Sequence, residues 1–254
     1  NQLEDYTPKE ITLDTVLTKN INANKEIVFK NDLEITPEVL KSQLDIPSKY
    51  FLTRGFSKET LEHFDVGDCF NNGKPMYGRA VVPIYNSDGD KIVACTGRSV
   101  FVQCNLCGGY HDPKRMCPTI DFVRFYSKWK HSKDFRPTAQ LYNYNNALPH
   151  IRQSGKIILV EGCGSVWKLY EAGFLMAVGT FGVNLGKNQK RLIDKSGARD
   201  IVILRDYKEG HRLVENVVEQ CQNQYNILAP PATYNDDIGE CEISQIKDIV
   251  GKLI

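Results

Sequence analysis

Apolar and polar positions change rhythm at Ser154-Gly155. Beyond that pair, continuous apolar runs alternate with amphipathic ones. KIILVEG reads as a strand buried on both faces, and SVWKLYEAG as a helix closed by Gly173. LMAVGTFG then reads as a second strand, NQKRLIDKSG as a second helix, DIVILRD as a third strand and HRLVENVVEQCQ as a third helix. Strand and helix alternating at this spacing predict right-handed crossovers and a parallel sheet, with ligands at the C-terminal strand ends. Glu161 and the segment from Arg205 to Tyr207 fall at such ends. The C-terminal NILAPPATYNDDIGECEISQIKDIVGKLI adds a short strand, a Pro-rich turn, an acidic loop and a last helix.

Upstream, the pattern differs. TPEVLKSQL predicts a short helix with Thr36 as its cap and Pro37 in its first turn, and Ser57 caps an amphipathic helix running to about Phe64, with Gly67 as its stop. AVVPIY and KIVACTG are β-rich runs joined by NSDGD, whose Asp88-Gly89 pair signals a hairpin, so a small antiparallel sheet is expected. The expected fold class is therefore α/β: a lead segment over 1–47, an α+β N-terminal subdomain over 48–153 and a parallel-sheet domain over 154–254.

Composition adds limits. The chain has 254 residues, 41% hydrophobic and 25% charged, which suits one large core or two smaller ones. No apolar run approaches the roughly 20 residues that span a bilayer, and NQLEDYTPKE lacks the basic start and apolar run of a signal peptide, so a cytosolic protein is expected. The first residue is not Met, which leaves room for a preceding segment. Net charge is only +1, so affinity for nucleic acid has to come from local clusters. Such a cluster exists: Lys114 and Arg115, then Arg124, Lys128, Lys130, His131, Lys133 and Arg136, interleaved with Phe122, Phe125, Tyr126, Trp129 and Phe135. Cations among aromatics suit a strand of phosphates with stackable bases; the alternative is a solvated face over a core edge.

Of eight cysteines, three fall with a histidine in CNLCGGYHDPKRMC. Cys104, Cys107, His111 and Cys117 have the spacing and chemistry of tetrahedral zinc ligands, and four protein ligands leave no open position, so a structural Zn²⁺ is expected. Cys69, Cys95, Cys163, Cys221 and Cys241 lie in or beside apolar runs and are expected to pack. Cys163 follows Glu161 at a helix start, where a thiolate is favoured. His63, His131, His150 and His211 are isolated.

Metal-assisted phosphoryl transfer needs carboxylates converging from several strand ends, because Mg²⁺ takes oxygen ligands. VEGCGSVWKLYEAGF, AVGTFG, VILRDYKEGHR and DDIGE, in this order, resemble the Toprim domain of bacterial and phage primases of the DnaG type. YFLTRGFSKETLEHFDVGDC, YGRAVVPIYNSDGDKIVACTGRS, and SKWKHS before LYNYNNA resemble the other half of that catalytic core, so the resemblance covers roughly residues 48–242. It implies Glu161 as a general base or metal-site acid, with Asp237 and Glu240 as the late acidic loop. It implies nucleic-acid or nucleotide binding by Arg54, Arg79, Arg98 and Lys128, and Lys130 joins them from the basic cluster.

Three positions depart from the family pattern. Where it has aspartates, this chain has Ser165, Arg205 and Tyr207, and Asp206 is displaced by one residue, while Gly210 keeps the turn. A cation at a metal-ligand position repels a dication by several kcal/mol in a partly desolvated cleft. The resemblance thus implies single-stranded DNA or RNA and nucleotides as partners, a replicative helicase among protein partners, and Mg²⁺ or Mn²⁺ at a degenerate site. One reading is a primase homologue with weakened or lost primer synthesis, and another is an active metal-dependent primase whose surviving acids are Glu161, Asp206, Asp237 and Glu240. A Toprim nuclease or topoisomerase-like subunit is a third. For Glu161 alone, an acid interacting with a helix dipole is the plainer reading.

Overall fold

The computed structural model describes residues 36–118, 123, 126–133, 135–205, 211–231 and 237–254. Residues 1–35, which hold most of the lead segment, and Asp206, Tyr207 and Gly210 lie outside them. The protein is mixed α/β, with one antiparallel and one parallel sheet of four strands each among the described residues.

Three short helices open the described chain: α1 (Pro37–Lys41), α2 (Lys49–Leu52) and α3 (Lys58–His63). Pro37 takes the first turn of α1 as expected, but Thr36 makes no side-chain cap. The α2 start is fastened from a distance. The Ser48 hydroxyl accepts from the Phe51 amide, and the buried Asp68 carboxylate accepts from the Lys49 amide at 2.8 Å and from the Ser48 hydroxyl at 2.5 Å. Ser57 caps α3, accepting from Thr60 N. Gly67 does not stop that helix. It stands in β1 (Gly67–Cys69), where a Cβ would come within 2.9 Å of the Asp45 carbonyl and 2.7 Å of the Ile46 side chain, so the close approach of the 44–46 segment requires glycine there.

The antiparallel sheet runs in the order β1-β2-β3-β4, with β2 (Arg79–Tyr85), β3 (Ile92–Ser99) and β4 (Trp129–His131). The β2–β3 turn is wider than the Asp88-Gly89 signal predicts. Asn86 closes it by donating its amide to the Lys91 carbonyl and accepting from the Lys91 amide, while Gly89 supplies the positive φ.

Helix α4 (Tyr144–Ser154) ends on left-handed Gly155 and leads directly into β5 (Lys156–Val160). It carries Pro149 at its sixth position, and no helix was expected across it. The predicted alternation then appears: α5 (Cys163–Glu171), β6 (Ala177–Gly179), α6 (Lys187–Ser196), β7 (Asp200–Ile203), α7 (His211–Cys221), β8 (Asn226–Leu228), and a last helix α8 (Ile243–Val250) after a 3-10 turn at Ile238–Glu240. All pairings in this sheet are parallel, in the order β6-β5-β7-β8.

The two sheets share a core rather than forming separate ones. Trp167, fully buried on α5, meets Phe51 at 4.8 Å and Phe56 at 5.1 Å edge to face, and its indole N–H donates to the Tyr142 hydroxyl at 2.8 Å. Ala80 and Val82 of β2 belong to this cluster with Ile158, Val160 and Val202 of the parallel sheet. The opposite face of β2 and β3 carries Val81 and Cys95 into a smaller cluster with Leu40 and Cys69. Cys163, Cys221 and Cys241 are buried too.

Candidate functional site

The chain passes from β5 to β6 on one side and returns to β7 on the other, so the topological switch lies between β5 and β7. Crevices outside the carboxyl ends of strands at such a point are where open α/β sheets bind ligands. Glu161 directly follows β5 and Arg205 lies two residues past β7, so these two residues flank the crevice. The Glu161 Oε1 is shielded from solvent.

The other acids arrive by the 3-10 turn. Asp237 caps it, its Oδ1 accepting from Gly239 N at 2.8 Å and from the Ser165 hydroxyl at 2.6 Å. Ser165 is fully buried on α5. Gly239 permits this approach, since a Cβ there would lie 3.2 Å from the Gly164–Ser165 backbone. Glu240 pairs with Arg54 at 2.6 Å, joining an expected acid to an expected phosphate ligand across the two halves. The loop between α2 and α3 that carries Arg54 is tied down further by Lys168 Nζ, which donates to the Gly55 carbonyl at 2.8 Å, and by the Ser57 amide, which donates to Glu171 at 2.7 Å. Arg205 donates to His211 Nδ1 at 2.7 Å. Asp206 lies outside the described residues. Burial pushes the Cys163 thiol up, so the thiolate expected at this helix start is disfavoured.

The basic candidates divide between two faces of the antiparallel sheet, because strand side chains alternate. Arg98 pairs in register with Ala80, whose face packs on the parallel sheet; its guanidinium lies over Tyr50 at 5.6 Å and Tyr110 at 5.3 Å. Arg79 is on the other face and only 4% exposed. It extends over Gly97, which has room for it only because it lacks a side chain, and donates to the Gly97 carbonyl at 2.9 Å and the Ser127 carbonyl at 3.0 Å. Burial and the nearby Arg98 charge lower its pKa to about 10, so it stays a cation at neutral pH. Lys130 donates to the Pro75 carbonyl at 2.8 Å, and Lys128 is exposed.

Between β3 and β4, the side chains of Cys104, Cys107, His111 and Cys117 bring one ligand atom each within 4.8 Å of the others. The Cys104 and Cys117 sulfurs are 3.7 Å apart. Tetrahedral zinc at about 2.3 Å from each sulfur sets an S–S edge of about 3.8 Å, so this spacing fits. His111 is buried, its Nδ1 faces the Asp112 carbonyl at 2.9 Å, and its buried Nε2 has no hydrogen-bond partner. A carbonyl on one ring nitrogen with the other reserved is the arrangement of a metal-ligating histidine. The backbone amides of Cys107 and Leu106 lower Cys104 to about 6, favouring the thiolate, whereas Cys104 and Cys107 push Cys117 up to about 11. A dication among these sulfurs reverses that repulsion. The donor set fits Zn²⁺.

Over 190 residues the chain is 28% identical to the DNA primase of Halalkalibacterium halodurans, a stretch covering 62% of this chain and 28% of that protein. Its structure matches that of the Aquifex aeolicus primase zinc-binding and RNA polymerase domains with a TM-score of 0.65, covering 94% of this chain and 66% of the other at 16% identity. The fold is that of a DnaG primase catalytic core. A DnaG primase catalytic domain bound to single-stranded DNA matches with a TM-score of 0.61, covering 87% of this chain and 76% of the other at 15% identity. The RNA polymerase domain of Mycobacterium tuberculosis DnaG gives 0.59, covering 95% and 84% at 14% identity. No family model matches the chain. The chain spans less than a third of the length of the curated relative it matches. No helix among its described residues is long and apolar enough to cross a membrane.

Sequence reasoning passed over Tyr77 and Tyr110, which the fold brings beside Arg115 of the knuckle and Arg98 of β3 respectively. Nothing in local spacing links residue 77 to residue 115, whose guanidinium lies 5.2 Å from the Tyr77 ring.

Proposed function

We propose that this primase homologue binds single-stranded DNA or RNA, or nucleotides, through Arg54, Arg79, Arg98, Lys128 and Lys130, and that its primer-synthesis chemistry is weakened or lost. The observation that carries this reading is the hydroxyl of Ser165 on Asp237. Ser165 stands where the Toprim pattern has an acid, and it holds an oxygen of the late acidic loop at 2.6 Å. Arg54 engages Glu240 and Arg205 engages His211, so cations and a hydroxyl stand around positions where Mg²⁺ or Mn²⁺ needs carboxylates. Polymerisation needs both ions placed to about an ångström, and misplacement on that scale costs about a hundredfold. Glu161 would be the surviving acid at the switch crevice, with Asp237 and Glu240 nearby in the 3-10 turn and Asp206 as a further acid. The knuckle holds structural zinc.

The second reading, an active metal-dependent primase, draws on the place of Glu161 at the switch point. One experiment separates them. Purified, zinc-loaded protein is given single-stranded DNA, ribonucleoside triphosphates and Mg²⁺ or Mn²⁺, and products are resolved on gels beside a fluorescence anisotropy titration of the same strand. Strand binding without primers is expected. Primers that disappear in Glu161→Ala would establish the enzyme instead.

A further inference from the structure

A second basic region lies away from the acid crevice, in a cleft of about 260 Å³ between the zinc knuckle and the antiparallel sheet. Four cations of different origin line it: the exposed Lys74 from the loop before β2, Arg79 from β2, Lys130 from β4 and Arg115 from the knuckle. Among the described residues the one acid in the wall is Asp112, which already accepts from the Lys114 amide at 2.9 Å. Burial and the mutual repulsion of Arg79 and Lys130 lower the pKa of Lys130 as well. Lys130 uses one donor on Pro75 and keeps two, and Arg115 is exposed, with its guanidinium over Tyr77. Tyr77 and Tyr110 stand in the same wall. Gly78, at φ +69 between Tyr77 and Arg79, lets the Phe101 ring close the floor, since a Cβ there would lie 2.4 Å from it.

Several cations beside aromatic rings, with the Asp112 carboxylate already engaged by a backbone amide, are the chemistry of a phosphate with a base attached. The volume is below the roughly 300–1,000 Å³ of sites that enclose a whole small ligand. It suits one unit of a longer molecule whose neighbours stay outside. We propose that this cleft seats one nucleotide of a single-stranded nucleic acid, its phosphate against Lys130 and Arg115 and its base against Tyr77 or Tyr110. Because His111 and Asp112 form part of the wall, loss of metal from the knuckle is expected to weaken the site. The proposal rests on the nucleic-acid reading above and adds Tyr77, Tyr110 and Arg115 to the contacts around Arg79 and Lys130.

The test is anisotropy of a labelled oligothymidylate with the zinc-loaded chain across a salt series. Tyr77→Ala and Arg115→Gln are each expected to weaken binding about fivefold or more, Tyr77→Phe to retain it, and Arg115→Gln to lower the salt slope by about one. Chelation of the zinc is expected to weaken binding comparably, after which Arg115→Gln adds little. Unchanged affinity in Tyr77→Ala and Arg115→Gln, with binding still lost in Arg98→Gln, overturns the cleft and leaves the nucleic-acid reading standing. Absence of strand binding by the unaltered chain overturns both. If Arg115→Gln loses affinity for a ribonucleoside triphosphate but not for the strand, the strand is not the occupant.

Discussion

Placing an acid at residue 165 tests how the crevice is balanced. In Ser165→Asp a second carboxylate enters a fully buried position whose present hydroxyl lies 2.6 Å from Asp237 Oδ1. Two unit charges about 4 Å apart repel by about 4 kcal/mol at an effective dielectric of about 20. One of the pair escapes part of this by taking up a proton, so a loss of about 2–4 kcal/mol is expected at pH 7.5 without divalent ions. For a chain of this size that is a fall of roughly 4–16 °C in melting temperature. A dication between the carboxylates relieves the repulsion, so added Mn²⁺ or Mg²⁺ raises the melting temperature of Ser165→Asp with concentration, as binding to the folded state alone requires. Ser165→Ala provides the control: it removes a hydrogen bond to a charged group, about 1.5–3 kcal/mol, and no metal restores it. Differential scanning fluorimetry with and without each ion reads all three proteins. If Ser165→Asp melts like the parent without metal, or shifts no more than Ser165→Ala when metal is added, the account of Ser165 as the replacement of a metal ligand is wrong.

Metal analysis of the purified chain should give one zinc per molecule, and Cys117→Ala or a strong chelator should release it and speed proteolysis between residues 100 and 128 while β5 to β8 keep their protection from hydrogen exchange. Trp167→Ala removes the ring that joins Phe51, Phe56 and Tyr142 and should cost about 3–5 kcal/mol in denaturant unfolding, whereas Arg54→Ala, at an exposed ion pair, should cost no more than about 1 kcal/mol. Desolvation against Tyr170, partly opposed by Asp65, lowers His63 below its ordinary 6.5. The folded state then takes up that proton less readily than the unfolded chain, so the His63 contribution is complete above about pH 6.5 and declines as pH falls through the lowered value. His63→Gln should flatten that part of the melting-temperature profile between pH 7 and 5.

The parallel sheet was legible because its strands are buried on both faces and its helices end on glycines. KIILV and DIVI admit few other readings, and Gly173 and Gly197 carry the expected positive φ. The clustering of Cys104, Cys107, His111 and Cys117 was legible because a knuckle places such side chains by local spacing alone. Helix α4 was not foreseen, since Pro149 argues against a helix and the segment gains its order from Tyr144, Ala147 and Ile151 packing under the sheet. Strand β4 was hidden too: Trp129, Lys130 and His131 have no alternation to announce it, and pairing with β3 defines it. The basic residues were legible as a set but not as two faces, because the division depends on which side of β2 and β3 is covered by the parallel sheet. The pairing of Ser165 with Asp237, 72 positions apart, follows from the fold and from nothing local.

The zinc knuckle leaves and rejoins the antiparallel sheet at almost one point. Ser99 N donates to the Lys128 carbonyl at 2.9 Å, and Arg98 faces Trp129 across the ladder. The excursion between them is therefore a detachable appendage, whose two ends are already closed by the sheet that carries it. Closing a longer loop adds only about 0.6 kcal/mol for each doubling of its length, and a metal clip removes much of that disorder again. A short turn could replace the excursion and keep the pairing of Arg98 with Trp129, at the cost of the Tyr110 ring beside the Arg98 guanidinium. Whatever surface the knuckle presents can thus diverge or be lost at little cost to the core on which it is mounted.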